Sequence, residues 1–207
     1  MIVTRIEELS KSRSKVYINQ EFAFVLYKGE FRLYHVREGE KLEQSDYEII
    51  MKEVLPKRAK LRAMNLLKSR EYTTAQLRTK LEQGYYPESV IEEALAYVAS
   101  YHYTDDLRYA VSFITYHENS KSRRRMEQDL SAKGIDRETI AKAFLDWEEQ
   151  GGAQDEQAMI RRLLEKRHYQ PADADYSERQ KMYAFLMRKG FSGEAVQKVL
   201  RADEWDM

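Results

Sequence analysis

Glu71-Tyr72-Thr73-Thr74-Ala75-Gln76-Leu77-Arg78-Thr79-Lys80-Leu81, then Gln83-Gly84-Tyr85-Tyr86-Pro87-Glu88, then Val90-Ile91-Glu92-Glu93-Ala94-Leu95: the stretch from Arg70 to Val98 decides the fold. It reads as two short helices around a tight turn. Thr73 followed by Gln76 has the form of a capping box, each side chain serving a free amide of the first turn. Leu77 and Leu81 lie one turn apart and supply a buried stripe. Gly84 marks the stop and Pro87 the next start. Val90, Ile91, Ala94, Leu95 and Val98 give the second helix its apolar face.

The chain repeats this stretch. Leu81, Tyr86, Ile91 and Leu95 are separated by five, five and four positions, as are Leu130, Ile135, Ile140 and Phe144, and again Leu186, Phe191, Val196 and Leu200. Gly134 and Gly190 stand directly before the apolar residue, the place of a helix-ending glycine. A further helix precedes each pair, over 56–69, 106–116 and 155–167. Corresponding positions fall 49 residues apart (135 − 86) and then 56 apart (191 − 135). Units of this kind bury their apolar faces on one another. The expected fold is mainly α: three tandem three-helix repeats in an elongated array, over residues 56–105, 106–153 and 154–207. Residues 1–55 form a β-rich cap and a connecting helix.

Within that first segment, Lys15–Asn19, Phe22–Tyr27 and Phe31–Val36 are rich in β-branched and aromatic residues, and Lys28-Gly29-Glu30 suits a hairpin turn. A small antiparallel sheet is expected, packed on the first helical unit because a lone hairpin is marginal in water. Ser45–Val54 reads as a connecting helix ended by Leu55-Pro56. Farther on, Ser177 with Gln180 reads as another capping box. Asp203-Glu204-Trp205-Asp206-Met207 reads as a frayed acidic tail, with Trp205 able to tuck onto the last unit.

At this point the sequence resembles the RecX family of regulatory proteins. The resemblance is carried by Glu71-Tyr72-Thr73 … Leu77-Arg78 … Lys80-Leu81, by Tyr103-Thr104-Asp105-Asp106, and by Arg124-Arg125-Met126 … Leu130 … Lys133-Gly134-Ile135. It covers 56–200 in the family's repeat order. Two places depart from the pattern. The first unit has Gly84-Tyr85-Tyr86 where the others have Lys-Gly-apolar, which leaves the closure of that turn open. Tyr116-His117 stands where an arginine is expected. The resemblance implies a modulator of the RecA recombinase, bound along its filament on single-stranded DNA. Such a protein restrains ATP hydrolysis and strand exchange in recombination, repair and the SOS response.

Composition narrows the alternatives. The 207 residues carry 35 Lys+Arg against 35 Asp+Glu, so total charge announces no nucleic-acid binder. Its distribution says more: eight basic residues stand against one acid over 57–80, and seven acids against two bases over 136–156. The absence of cysteine excludes disulfides and thiolate chemistry. The N-terminus carries charge where a secretory signal would be apolar, and no run approaches a membrane span. A cytoplasmic monomer is expected. The four histidines are scattered without metal spacing, and no glycine-rich phosphate loop or nucleophile elbow occurs. The reading is a protein that is no enzyme and needs no cofactor.

The candidate binding residues come from charge placement. Ser122 occupies the cap position before Arg123, Arg124 and Arg125. Cations in a first turn oppose the helix dipole, by about 0.3–1 kcal/mol each when exposed. Helix stability therefore does not select them, and Lys121, Arg123, Arg124 and Arg125 are assigned to an anionic partner. The competing reading is a solvated basic turn neutralised by Glu127 and Asp129. Arg58, Arg62, Arg70 and Arg78 form a second set. The rival function is a helical module acting directly on single- or double-stranded DNA, since short helix pairs around a glycine turn resemble helix-turn-helix units. Of the tyrosines, Tyr72, Tyr86 and Tyr169 are expected in the core, and Tyr85, Tyr101, Tyr103 and Tyr109 on a binding surface.

Overall fold

The computed structural model describes residues 1–171 and 173–201, and the acidic tail with Trp205 lies outside the described residues. The chain divides into two compact units, Met1–Asp105 and Asp106–Met207.

The first unit opens with a three-stranded antiparallel sheet in the order β1 (Val3–Ser10), β2 (Arg13–Ile18), β3 (Glu21–Tyr27). Asn19 and Gln20 both have positive φ, 51° and 75°, as a two-residue hairpin loop whose twist matches its strands requires. Two expectations fail here. Lys28–Leu33 is a helix, α1, and not a turn leading to a third strand. The Glu30 carboxylate accepts the Tyr27 N–H at 2.7 Å, starting a helical turn that the aromatic content of 31–36 had masked. The missing strand is β1. Its Arg5, Glu7 and Glu8 are exposed and hide the alternation that Val3 and Ile6 begin.

The connecting helix also differs. α2 (Gln44–Ile49) does not stop at Leu55-Pro56. It runs through a π-helical turn, Ile50–Val54, into α3 (Leu55–Leu67). Pro56 has no N–H and its ring crowds the preceding turn, and the wider turn before it accommodates both. α4 (Thr74–Glu82) and α5 (Glu88–Ser100) complete the first three-helix group. Val16, Phe24 and Leu26 of the sheet share one core with Leu77, Leu81 and Ile91, so the sheet does pack on the first helical group.

The second unit holds α6 (Asp106–His117), α7 (Arg123–Ala132) and α8 (Arg137–Glu149), then α9 (Glu156–Glu165), α10 (Tyr176–Arg188) and α11 (Gly193–Arg201). Each triplet has its own core, one around Ile114, Leu130 and Phe144 and one around Ile160, Leu186 and Val196. Thr73 and Ser122 cap α4 and α7 as expected. The cap of α10 is Asp175, paired reciprocally with Glu178, and not Ser177 with Gln180.

The five-residue spacing has a single cause. The N–H of Tyr86 donates to the Leu81 carbonyl at 3.4 Å, Ile135 to Leu130 at 3.2 Å and Phe191 to Leu186 at 3.4 Å. The residue between takes the left-handed conformation, with φ of 62° at Tyr85, 83° at Gly134 and 87° at Gly190. A second bond joins its N–H to the carbonyl three residues back: Tyr85 to Glu82 at 2.8 Å, Gly134 to Ser131 and Gly190 to Met187 each at 2.9 Å. This pair of bonds is the Schellman closure, and the apolar residue after it folds back onto the leucine. The first unit therefore closes as the others do, with a tyrosine in the glycine's conformation. Gly84 is needed for another reason: a Cβ there would lie 2.8 Å from the Tyr86 ring. Leu81, Leu130 and Leu186 are fully buried, each contributing about 1.5–3 kcal/mol.

Gly151, with φ +88° and open space around it, and Gly190, with φ +87° and Ser122 Oγ 2.7 Å from a built Cβ, separate backbone strain from packing. Gly151→Ala is expected to cost about 1–2 kcal/mol in urea denaturation, and Gly190→Ala distinctly more. Equal losses would show that the contact with Ser122 contributes nothing.

Candidate partner-binding site

Ser122 is the hinge of the site. Its Oγ accepts the Arg125 N–H at 3.3 Å, capping α7, and donates to the Lys189 carbonyl at 2.8 Å. One hydroxyl thus ties the start of α7 to the closing turn of α10. Gln154 adds a second tie, its Nε2 donating to the carbonyls of Glu118 at 2.7 Å and Lys121 at 2.8 Å. Between these elements lies a cleft of about 580 Å³. Its charged lining is Lys121, Arg125, Arg188, Lys189 and Asp129, over an apolar floor that includes Phe185 and Phe191.

Four cations meet one carboxylate there. Asp129 accepts from Lys121 at 2.8 Å and pairs with Arg125 at 3.1 Å. Burial raises its pKa, but the Lys121 hydrogen bond and the charges of Lys121 and Arg125 outweigh that and hold the carboxyl below its ordinary value. His117 also lines the cleft. Burial and the Lys121 charge lower its pKa, so the imidazole is neutral at pH 7. The cleft keeps a clear positive excess.

The three arginines do not act as a group. Successive residues on a helix point about 100° apart. Arg123 turns back on its own bundle, pairing with Glu127 at 3.3 Å and Glu148 at 2.6 Å while lying 4.3 Å over the Phe144 ring. Arg124 is exposed and, among the described residues, has no ion pair. Arg125 enters the cleft with Lys121. The competing reading from the sequence, neutralisation by Glu127 and Asp129, is thus met in part. Arg188 and Lys189 were not singled out by sequence, although they directly precede Gly190 in the repeated closure.

The second set is dispersed over the first unit. Arg58 is 18% exposed, bonded to Glu30 and to the Val25 carbonyl at 3.1 Å, and stacked over Tyr27 at 4.6 Å. Arg78 joins α4 to α5 through Glu88 and Glu92. Arg70 lies 4.3 Å over the Tyr72 ring. Arg62 is exposed and lines a groove with Arg13 and Lys80. Tyr72 is buried, while Tyr86 and Tyr169 pack at the margins of their cores. Tyr85, Tyr101 and Tyr103 are exposed, whereas Tyr109 is half-buried. Among the described residues no three His, Asp or Glu side chains are placed to hold a metal ion. No described helix is long and apolar enough to cross a membrane.

Comparison with known proteins follows the same three groups. Residues 59–97, 105–143 and 154–200 match the family models of the first, second and third three-helix domains of RecX. A "Regulatory protein RecX" of Caldanaerobacter subterraneus is 30% identical over 97% of this chain and 98% of its own length. One from Neisseria meningitidis is 33% identical over 72% of this chain and 93% of its own length. A solved RecX structure covers 96% of this chain and 98% of its own at a TM-score of 0.62, with 22% identity. RecX from Lactobacillus salivarius covers 72% and 96% at a TM-score of 0.57, with 20% identity.

Because Asp129 binds its proton less tightly folded than unfolded, its stabilising contribution is complete above the ordinary carboxylate pKa of about 4. That contribution is lost as pH falls through the lower folded value. In a His117→Gln background, where the imidazole no longer titrates, the stability lost in Asp129→Asn should be constant from neutral pH to about pH 5 and shrink below about pH 4. Urea denaturation across that range checks it, and a loss that grew on acidification would contradict the pairing.

Proposed function

Since this chain belongs to the RecX family of regulatory proteins, we propose that it binds the RecA recombinase filament on single-stranded DNA and restrains its ATP hydrolysis and strand exchange. It acts on this reading as a cytoplasmic monomer that limits recombination and repair through binding and not through chemistry of its own. The family is named for regulation and not for a reaction. The match to the Caldanaerobacter subterraneus protein spans 98% of that relative's own length, so the proposal draws on the relative as a whole and not on one of its domains.

The observation that carries the reading is the cleft of the second unit. Two repeats are fastened there by Ser122 and Gln154, and the seam is lined by Lys121, Arg125, Arg188 and Lys189 with Asp129 as its carboxylate. A cationic seam over an apolar floor suits acidic side chains of a protein surface, which take charge-assisted hydrogen bonds while their neighbours cover the phenylalanines. Arg124, exposed beside it, extends the charge. Arg123, Arg58 and Arg78 contribute to the fold instead, because each has a carboxylate of its own, whereas the four cations of the cleft have, among the described residues, only Asp129 to share.

DNA-dependent ATP hydrolysis by the recombinase, titrated with this protein, tests the assignment. Arg124→Ala/Arg125→Ala and Arg188→Ala/Lys189→Ala are each expected to raise the concentration giving half-maximal inhibition about tenfold or more, the effect of losing one or two hydrogen bonds to a charged group. Lys142→Ala, on the exposed side of α8, should leave it unchanged. Inhibition indifferent to both cleft pairs would remove this site from the mechanism.

A further inference from the structure

The outer face of the N-terminal sheet carries a surface that the recombinase reading leaves unused. Val16 pairs with Phe24 and Tyr17 with Phe22, so Ala23 is an extra residue on β3. Residues two apart on an unbroken strand share a face. The bulge separates these two: Phe24 is fully buried, whereas Phe22 stands beside Tyr17 at 41% exposure. Rings continue outward from it. Phe22 meets Tyr17 edge-on at 5.9 Å and Tyr85 at 6.3 Å. Lys15 lies 4.5 Å over Tyr85 and Arg5 3.9 Å over Tyr17.

Beside Tyr85 runs the groove formed by Arg13, Arg62 and Lys80 around Tyr27 and Tyr86, and no carboxylate lines it. Among the described residues neither Arg13 nor Arg62 has an ion pair, and Lys80 contacts the neutral Gln83 amide at 3.3 Å. The hydroxyl of Tyr86 lies within the field of these charges. Burial raises the pKa of its hydroxyl, while the charges of Arg58, Arg62 and Arg13 oppose the rise. Glu7 is the acid of the neighbouring sheet face, and it is matched by Arg5 at 3.2 Å and Lys15 at 3.9 Å. Arg58, Lys60 and Arg78 of this unit are tied to carboxylates, whereas the groove gathers two guanidinium groups without an ion pair into one concavity.

We propose that this surface binds single-stranded nucleic acid, with phosphates in the Arg13–Arg62–Lys80 groove and bases against Phe22 and Tyr85. Exposed rings next to unmatched cations form the arrangement that holds an unpaired strand, since every base offers a face for stacking and every nucleotide a phosphate. A duplex keeps its bases stacked inside and would leave the rings unused. An acidic peptide would answer the cations but gives no reason for a bulge that turns a phenylalanine outward. The inference does not rest on recombinase binding.

The test titrates the full chain into fluorescein-labelled oligo-dT, without recombinase, and follows anisotropy against salt. Wild type should bind, with affinity falling as salt rises. Arg13→Ala/Arg62→Ala should weaken binding and reduce the log–log salt slope by about 1.4, two phosphate contacts at about 0.7 each on a single strand. Phe22→Ala should weaken binding about fivefold or more with the slope unchanged, the signature of lost stacking, and Phe22→Trp should retain it. Thermal melts establish that each variant is folded. Failure of the wild type to bind, or variants that bind like it, would overturn the proposal. So would a polyglutamate peptide that competes as well as unlabelled oligo-dT, which would mark the groove as a site for an acidic protein segment. Each of these failures leaves the proposal about the recombinase standing.

Discussion

A hydrogen bond from an apolar residue's N–H to the carbonyl of a buried residue five positions earlier sets the geometry of this chain. A helix ends with carbonyls that have no partner, and this bond with its companion satisfies two of them without help from another element. It also reverses the chain and lays the apolar residue against the helix just left. The closure recurs beyond the quoted pairs: Tyr103 donates to Val98 at 2.9 Å, Gly152 to Trp147 and Tyr169 to Leu164, each at 3.0 Å. At each, the preceding residue, His102, Gly151 or His168, has positive φ. The closure is thus tolerant of sequence at its strained position. Glycine is the relaxed choice; tyrosine or histidine accepts a cost of about 1–2 kcal/mol, which packing of the returning residue against its core offsets at Tyr86 and Tyr169.

That tolerance explains what the sequence revealed and what it hid. The spacing of apolar residues is a backbone property, so the three groups and the ends of their helices were legible from Leu81-Tyr86, Leu130-Ile135 and Leu186-Phe191 alone. The identity of the left-handed residue was a poorer guide, and Gly84-Tyr85 suggested a difference that the geometry does not contain. Elements defined by a charged face were harder. β1 buries Val3 and exposes Arg5, Glu7 and Glu8, leaving too little alternation for a strand to be read. The π turn before Pro56 leaves no residue pattern at all. It is a response to a missing N–H and a bulky ring inside a helix that packing keeps continuous.

The candidate sites show a different limit. Charge runs were visible, but a run does not say where each side chain goes. Arg123 and Arg125 are two positions apart, yet one is paired with Glu148 of α8 and the other lines the cleft. Conversely Lys121 and Lys189, distant in sequence, line the same cleft because the Ser122 hydroxyl reaches the Lys189 carbonyl. Sequence gave the supply of cations. Only the fold could give their partners.

Pairing is therefore the better criterion for function in a chain whose charges sum to zero. A guanidinium with a carboxylate to itself has little left for a ligand, since binding elsewhere would break one charge-assisted contact to make another; Arg125 differs in sharing Asp129 with Lys121 in a cleft of four cations. Arg58 illustrates the case, being bonded to Glu30, to the Val25 carbonyl and to the Tyr27 ring while only 18% exposed. One helical turn later, Arg62 faces a groove that holds no acid. The two arginines belong to the same basic run and the same helix, and the carboxylate of α1 separates them. Glu30 is what starts α1 through the Tyr27 N–H, so the event that converted an expected turn into a helix also withdrew Arg58 from the binding surface. In this chain the placement of acids, more than of bases, decides which positive charge remains available.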